Sequence, residues 1–198
     1  MEVLFIKEND FKQFIEKMIS NHEVIAPKAK QTRFSFEKLT KFEELRLDYD
    51  TTILPPKKVF FPPEQELVKF DKDGTKACIN PQEKILLGVH PYDIVAIKQL
   101  DKLFHDGRAD YNYLSNRNKT IIIGSNVQKH YKAAFFGSIE SGIVSDGFDI
   151  FITKIKDGYI AEIATDNGKK IIKYANASKA SDEQIKEKKE LKNKEERS

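Results

Sequence analysis

The stretch from residue 85 to residue 124 constrains the fold most, because two apolar runs flank an amphipathic helix pattern. Residues 85–89 and 120–124 are almost continuously apolar, which is typical of strands buried on both faces. Between them, Pro91 can occupy the first turn of a helix. The apolar residues that follow recur three or four positions apart, at Ile94, Ile97, Leu100, Leu103 and Phe104. Two buried strands joined by a helix predict a parallel pair with a right-handed crossover.

The remaining pattern adds strands and one more long helix. The other predicted strands are residues 2–7, 24–26, 33–36, 67–70, 77–79, 148–155 and 159–165. Asn9 could cap a helix over the next twelve or so residues, and turns are predicted at residues 27–31 and 166–168. Together these elements predict an α+β fold with a mixed β-sheet and flanking helices, including the strand–helix–strand unit and C-terminal β-hairpins.

Two Pro-Pro pairs, at residues 55–56 and 62–63, surround an apolar and basic run. Each proline fixes its own backbone angle and restrains the residue before it, so the segment is predicted to be extended rather than helical. A stiff loop that packs its aromatic rings on the core is the simplest interpretation.

The composition excludes several classes of function. The net charge of +3 is too balanced for an evident nucleic-acid partner, which needs clustered, uncompensated basic residues. No window has the roughly 20 apolar residues that cross a bilayer, and the first residues do not form a secretory signal. The one cysteine, Cys78, is predicted to be a small buried side chain and is compatible with the reducing cytoplasm.

The end of the chain differs from the rest in composition. From Ser178 onward most residues are charged, and only Ala180, Ile185 and Leu191 are apolar. We therefore predict one domain over residues 1–176 and a charged helical or disordered tail over residues 177–198.

Pattern alone indicates few candidate site residues. The glycines match neither a dinucleotide fingerprint nor a phosphate-binding loop, and the four histidines are too scattered for a metal site. His90 lies at the carboxyl end of a predicted parallel strand, where open sheets place ligands. Asp93 would lie in the first helical turn, where a carboxylate favours the positive end of the helix dipole. Structural roles explain both residues equally well, and no catalytic set is evident.

Several motifs, taken together, resemble one family. They are Leu54-Pro55-Pro56-Lys57-Lys58 with Phe60-Phe61-Pro62, Gly88-Val89-His90-Pro91-Tyr92-Asp93-Ile94, Gly147-Phe148-Asp149 and Asp157-Gly158-Tyr159. In this order, over about residues 1–175, the chain resembles the A subunits of anaerobic sulfite reductase and the beta subunits of nickel–iron hydrogenases and sulfhydrogenases. The resemblance implies electron transfer through 4Fe-4S clusters, and a two-cluster ferredoxin-like domain after the region seen here.

The resemblance also implies where cluster cysteines would lie, and this chain lacks them. The four family ligand positions correspond to Tyr92, Val127, Ala134 and Phe136. Because iron–sulfur clusters need thiolate or imidazole ligands, we expect no cluster or other cofactor on this chain. Aromatic and apolar replacements could fill the volume that a cluster would leave.

Three hypotheses follow from the resemblance and the missing cysteines. The first is an accessory or scaffold domain, not catalytic alone, that binds a ferredoxin-like module or redox-complex subunit through His90, Asp93, Lys57 and Lys58. The second is a small-molecule binding domain or enzyme that reuses the vacated pocket. The third, a cluster shared with a partner through Cys78, is disfavoured because one thiolate is too few. The sequence predicts neither nucleic-acid binding nor direct membrane insertion.

Overall fold

The structure is a computed structural model that describes residues 1–72, 74–107, 109–129 and 144–195. Its strands are β1 Glu2–Lys7, β2 Glu23–Lys30, β3 Arg33–Lys38, β4 Val68–Asp71, β5 Gly74–Ala77, β6 Lys84–Val89, β7 Thr120–Ser125, β8 Ile150–Ile155, β9 Gly158–Ile163 and β10 Ala177–Lys179. Its α-helices are α1 Glu8–Asn21, α2 Pro91–His105, α3 Tyr111–Asn118, α4 Asp166–Ile172 and α5 Asp182–Glu195, and short 3-10 helices span Phe42–Glu44 and Pro56–Val59.

Eight of these strands form one mixed sheet in the order β10-β1-β9-β8-β7-β6-β2-β3. The four strands β2, β6, β7 and β8 are parallel neighbours, and the outer strands are antiparallel. The predicted α+β fold is confirmed, as are the parallel pair β6–β7 around α2 and the β8–β9 hairpin. Since parallel strands share a direction, the carboxyl ends of β6 and β7 meet at one edge of the sheet.

Helices cover both faces of this sheet. On one face, α1 buries Phe11, Phe14, Ile15 and Met18 against the central strands. On the other face, Ile94 and Ile97 of α2 and Tyr113 of α3 pack with the Pro56–Val59 turn. Burying a large apolar side chain contributes about 1.5–3 kcal/mol, so each face has a substantial core of its own.

The charged segment at the end of the chain forms α5 and lies against the sheet. Its apolar residues Ile185 and Leu191 pack on Phe5, Ile155 and Ile160. Lys188 of the same helix pairs with Glu162 of β9 at 2.5 Å. The boundary between residues 176 and 177 remains a prediction.

Three local predictions are wrong. Asn9 is not a helix cap, because α1 already begins at Glu8 and Lys7 precedes it. The turn at residues 27–31 is shorter, since β2 runs through Pro27 to Lys30. Residues 166–168 begin the helix α4, because the Thr165 hydroxyl oxygen accepts a hydrogen bond from the Gly168 amide at 3.1 Å and caps it.

The Pro-Pro segment also differs from its prediction. Pro55 is extended as expected, but Pro56 starts the 3-10 helix Pro56–Val59. A proline at the first helical position has no amide that needs a partner, so it favours the start of a short helix as readily as an extended segment. The turn buries Val59 and Phe60 in the core, which satisfies the aromatic packing that the sequence predicts.

The hairpin predicted from residues 67–70 and 77–79 is present, but its second strand, β5, runs from Gly74 to Ala77, and the hairpin lies outside the main sheet. It forms a separate two-stranded sheet in which Val68 pairs with Ala77. Cys78 follows β5 and is buried, as predicted, with its amide bonded to the Leu67 carbonyl at 2.9 Å.

Candidate functional site

His90 is the centre of a buried aromatic cluster at the carboxyl end of β6. It directly precedes α2, and its side chain is fully buried. The imidazole stacks on the Tyr49 ring, with the centroids 3.9 Å apart and the planes 2° from parallel. Its Nδ1 lies 2.6 Å from the Tyr92 hydroxyl oxygen. His90 is therefore held in position on one face and along one edge, as a site residue must be.

Tyr92 connects this imidazole to the loop that contains Asp50. Its hydroxyl donates a hydrogen bond to the Asp50 carbonyl oxygen at 3.2 Å. A phenol has one proton, so when that proton points to Asp50, Nδ1–H of His90 is the donor to the phenol oxygen. Burial raises the pKa of the Tyr92 phenol, and the phenol therefore stays protonated near neutral pH.

Tyr49 and Gly88 hold the other side of His90. The Tyr49 hydroxyl donates to the Gly88 carbonyl oxygen at 2.9 Å. Gly88 interrupts the pairing of β6 with β7 and has a φ of +80°, a conformation that other residues rarely adopt. Because of this irregularity, the Gly88 carbonyl points to the Tyr49 hydroxyl, and the next residues of the chain lead to His90.

Asp93 lies one helical position beyond Tyr92, in the first turn of α2, and is partly buried. Burial raises the pKa of its carboxyl to about 7, although the positive charge of Lys57 acts in the opposite direction. Burial disfavours the charged form of an acid, which explains the sign. The Asp93 carboxyl can therefore take up or release a proton near neutral pH.

The two lysines of the Pro56–Val59 turn point in different directions. Lys57 is exposed and close enough to Asp93 to act on its pKa. Lys58 is half-buried, its Nζ lies 3.5 Å from the Ser35 hydroxyl, and burial lowers its pKa. Lys57 thus belongs to the same surface as Asp93, whereas Lys58 lies against β3.

The remaining predicted positions lie on the chain that follows β7. Val127 is buried, and the neighbouring Asn126 side chain accepts a hydrogen bond from the Lys154 amide at 2.9 Å. Ala134 and Phe136 lie outside the described residues. The structure therefore places His90, Tyr92 and Asp93 together with Lys57, and it places Val127 at the same edge of the sheet.

Sequence reasoning missed Tyr49 and Asp50. They lie between β3 and the Pro-Pro segment, in a stretch with no periodic pattern, and their contacts span about forty positions along the chain. A tyrosine in an irregular segment carries no signal of its own about which residue it will stack on.

The described donors do not fit an iron–sulfur cluster. A cluster needs several thiolates that converge, but the chain has one cysteine, Cys78, which lies beside the separate β4–β5 hairpin. Of the four ligand positions that the resemblance implies, the two that are described hold Tyr92 and Val127, which carry no thiol. Within the described ranges, no group of three or more His, Cys, Asp or Glu side chains could hold a metal ion. None of the helices in these ranges has the length and apolar character that a membrane crossing requires.

The fold and the site define an α+β domain with a mixed sheet, in which a buried histidine–tyrosine pair and a partly buried carboxyl occupy the carboxyl edge of the parallel strands. No family model matches the chain. The chain is 30% identical over 162 residues to the beta subunit of sulfhydrogenase 2 from Pyrococcus furiosus. The match covers 82% of this chain and 48% of that relative. The match supports a hydrogenase beta subunit-like family for this chain, which spans about half the length of this relative.

Proposed function

We propose that this chain is an accessory or scaffold domain of an electron-transfer complex of the hydrogenase or anaerobic sulfite reductase kind, located in the cytoplasm. It binds a ferredoxin-like module or another cluster-bearing subunit, holds no 4Fe-4S cluster itself and has no catalytic activity alone. The similarity to a sulfhydrogenase beta subunit over most of the chain supports the general kind of complex. The single cysteine of the chain supports the absence of a bound iron–sulfur cluster, because such a cluster needs several thiolate ligands.

One observation carries this proposal, namely the environment of Tyr92. At a position where the resemblance implies a cysteine ligand, its hydroxyl lies against His90 and the Asp50 carbonyl. The side chain is thus part of the protein's own hydrogen-bonded packing. A phenol held in this way is not available to complete a cluster of thiolate ligands.

The second hypothesis, a ligand pocket made by His90, Tyr92 and Asp93, has less support. A cavity of about 210 Å³ lies near this edge of the sheet, and Pro91, Asn126 and Phe148 line it. The three proposed pocket residues do not line that cavity. The described contacts of His90 and Tyr92 are instead with each other, with Tyr49 and with the Asp50 carbonyl, and these contacts favour a packed surface.

Reconstitution with iron and sulfide under oxygen-free conditions is expected to leave the purified chain without a cluster. The reason is that the chain has a single thiol, Cys78, and one thiolate cannot hold a cluster. Metal and acid-labile sulfide analysis, together with the visible absorbance of iron–sulfur charge transfer, measures the outcome. A ferredoxin treated in parallel serves as the positive control. Stoichiometric iron and sulfide that survive gel filtration would contradict the proposal.

Co-elution with redox subunits encoded beside this chain tests the scaffold role. We expect one of them to co-elute, and we expect Lys57→Glu to weaken that binding about tenfold, because reversing an exposed charge opposes an acidic partner. Lys7→Glu is the matched control, since Lys7 is also exposed but lies in β1, four strands away from β6. Failure to co-elute with any of them, or equal loss in both variants, would count against this role.

A further inference from the structure

A second cavity, of about 660 Å³, lies at the opposite edge of the sheet from His90. Here the parallel strands begin: Lys84 is the first residue of β6, Lys119 directly precedes β7, and His22 directly precedes β2. Residues of α3 and α4 complete the walls. A cavity of this volume is in the range that small-molecule sites occupy.

The cavity has an apolar floor and polar walls. Ile85, Ile121 and Ile171 form the floor, and Ile85 is fully buried. Side chains of Asn118 and Asn167 lie in the walls. This arrangement fits a ligand that has both a hydrogen-bonding group and an apolar body.

The charges of the lining are unequal. The lining contains three lysines, Lys84, Lys119 and Lys170, and one carboxylate, Glu83. Lys84 also pairs with Glu23, which is not part of the lining, at 3.5 Å, so the lining and this carboxylate together carry a net charge of +1 with histidine neutral. Lys119 binds Glu83 at 2.8 Å. The pKa of Glu83 is lowered chiefly by its hydrogen bond and ion pair with Lys119, and also by His22 and Lys170, which indicates that these three side chains lie near one carboxylate.

Of the three lysines, Lys170 is held least firmly by neighbouring side chains. It is exposed, and it makes no ion pair with any residue in the ranges that the structure describes. Its hydrogen bond to the Asn167 side-chain oxygen is long, at 3.5 Å. A lysine in this situation can turn to an anion without breaking a strong contact.

His22 and Tyr174 supply two further polar groups. The His22 Nε2 lies 3.1 Å from the Tyr174 hydroxyl oxygen, and both side chains are half-buried in the cavity wall. Either group can offer a proton to an anion that approaches the lysines.

We propose that this cavity binds a small phosphate monoester, with the phosphate near Lys119, Lys170 and His22 and the apolar body on the isoleucine floor. A phosphate monoester is close to a dianion at neutral pH and has three acceptor oxygens, so it can contact Lys119, Lys170 and His22 at once, whereas a carboxylate has only two oxygens. This site is independent of the proposed scaffold role, since it lies at the other edge of the sheet.

Titration of the full chain with phenyl phosphate, followed by amide NMR, tests the site. We expect saturable shifts confined to amides of α3, α4 and residue 22, weaker binding of benzoate and of inorganic phosphate, and no such shifts with phenol. Failure of phenyl phosphate to give saturable shifts at these amides overturns the proposal. Equal binding of phenol or benzoate also overturns it, because the charge argument would then be wrong.

A pair of variants on one helical segment separates specific binding from general attraction. Lys170→Gln is expected to raise the dissociation constant of phenyl phosphate about fivefold, since it removes one partly exposed charge contact. Lys173→Gln is the matched control, because Lys173 is exposed at the end of α4 and does not line the cavity. An equal effect of both variants would show that phenyl phosphate is attracted nonspecifically to surface lysines, and it would overturn the proposed site.

Discussion

Replacing Gly88 with alanine is expected to destabilise the folded chain by about 3 kcal/mol, as the sum of backbone strain and overpacking. Gly88 has a φ of +80°, which alanine adopts only with strain. A Cβ atom there would lie 2.7 Å from Leu47 Cδ2 and 3.2 Å from Pro27 Cδ. Leu47 is buried and the proline ring is rigid, so neither can move away easily. Urea unfolding measures the loss.

Gly107→Ala is the matched control for this prediction. Gly107 has nearly the same φ, +76°, but a Cβ atom there would meet nothing within 4 Å. The control should therefore lose only the backbone contribution, about 1 kcal/mol. If the two variants lose equal stability, the close approach of Leu47 and Pro27 to Gly88 has no energetic consequence and the prediction is wrong.

The loss of stability expected for Gly88→Ala also affects the site, because the Gly88 carbonyl accepts the hydrogen bond of the Tyr49 hydroxyl. A shift of the Gly88 carbonyl would remove the acceptor of the Tyr49 hydroxyl. Tyr49 is fully buried, and an unpaired buried hydroxyl costs about 1–3 kcal/mol. The stacked His90 would then lose its support on one face, so backbone geometry at Gly88 and side-chain geometry at His90 are coupled.

The sequence predicts the central part of the fold well because burial leaves a strong pattern there. The apolar run of β6 and that of β7 are buried on both faces, and few structures other than central parallel strands accommodate such runs. The position of His90 follows from the same pattern, since it is the first polar residue after β6. The parallel arrangement of β6 and β7 is therefore sufficient to place His90 and Val127 at the same edge of the sheet.

What the sequence could not predict depends on contacts distant in the chain. The His90–Tyr49 stack joins residues 41 positions apart, and no periodic signal marks Tyr49. The start of the 3-10 helix at Pro56 could not be distinguished from an extended segment, because proline favours both. The packing of α5 also left little signal in the sequence, since only two of its residues, Ile185 and Leu191, are apolar, and these two pack on the sheet.

The edge that contains His90 combines rigid packing with one group that can change charge. His90 stacks on Tyr49 and is hydrogen-bonded to Tyr92, and the Tyr49 hydroxyl donates to the Gly88 carbonyl. Asp93 is the exception, because burial brings the pKa of its carboxyl to about 7. Its charge therefore affects both the stability of this edge and the potential that a docking partner meets beside Lys57.

Substituting Asp93 with asparagine is expected to stabilise the chain increasingly as the pH rises. The folded-state pKa, about 7, lies above the ordinary value of 3.8, so the folded state binds more protons. The stability that this protonation contributes is fully present below the ordinary value and is lost as the pH rises through about 7. Asparagine stays neutral, so the variant avoids this loss, and its advantage over the native chain should grow by about 2 kcal/mol between about pH 5 and about pH 8.

Urea unfolding of both proteins across this pH range measures the effect. Asp157→Asn is the matched control, because Asp157 is exposed in the turn between β8 and β9. The stability of Asp93→Asn relative to Asp157→Asn should therefore rise with pH. An asparagine advantage at position 93 that does not change with pH would show that burial does not hold this carboxyl protonated. The charge of Lys57 would then dominate at Asp93, and the edge would present a permanent ion pair to its partner in place of a group that titrates near neutral pH.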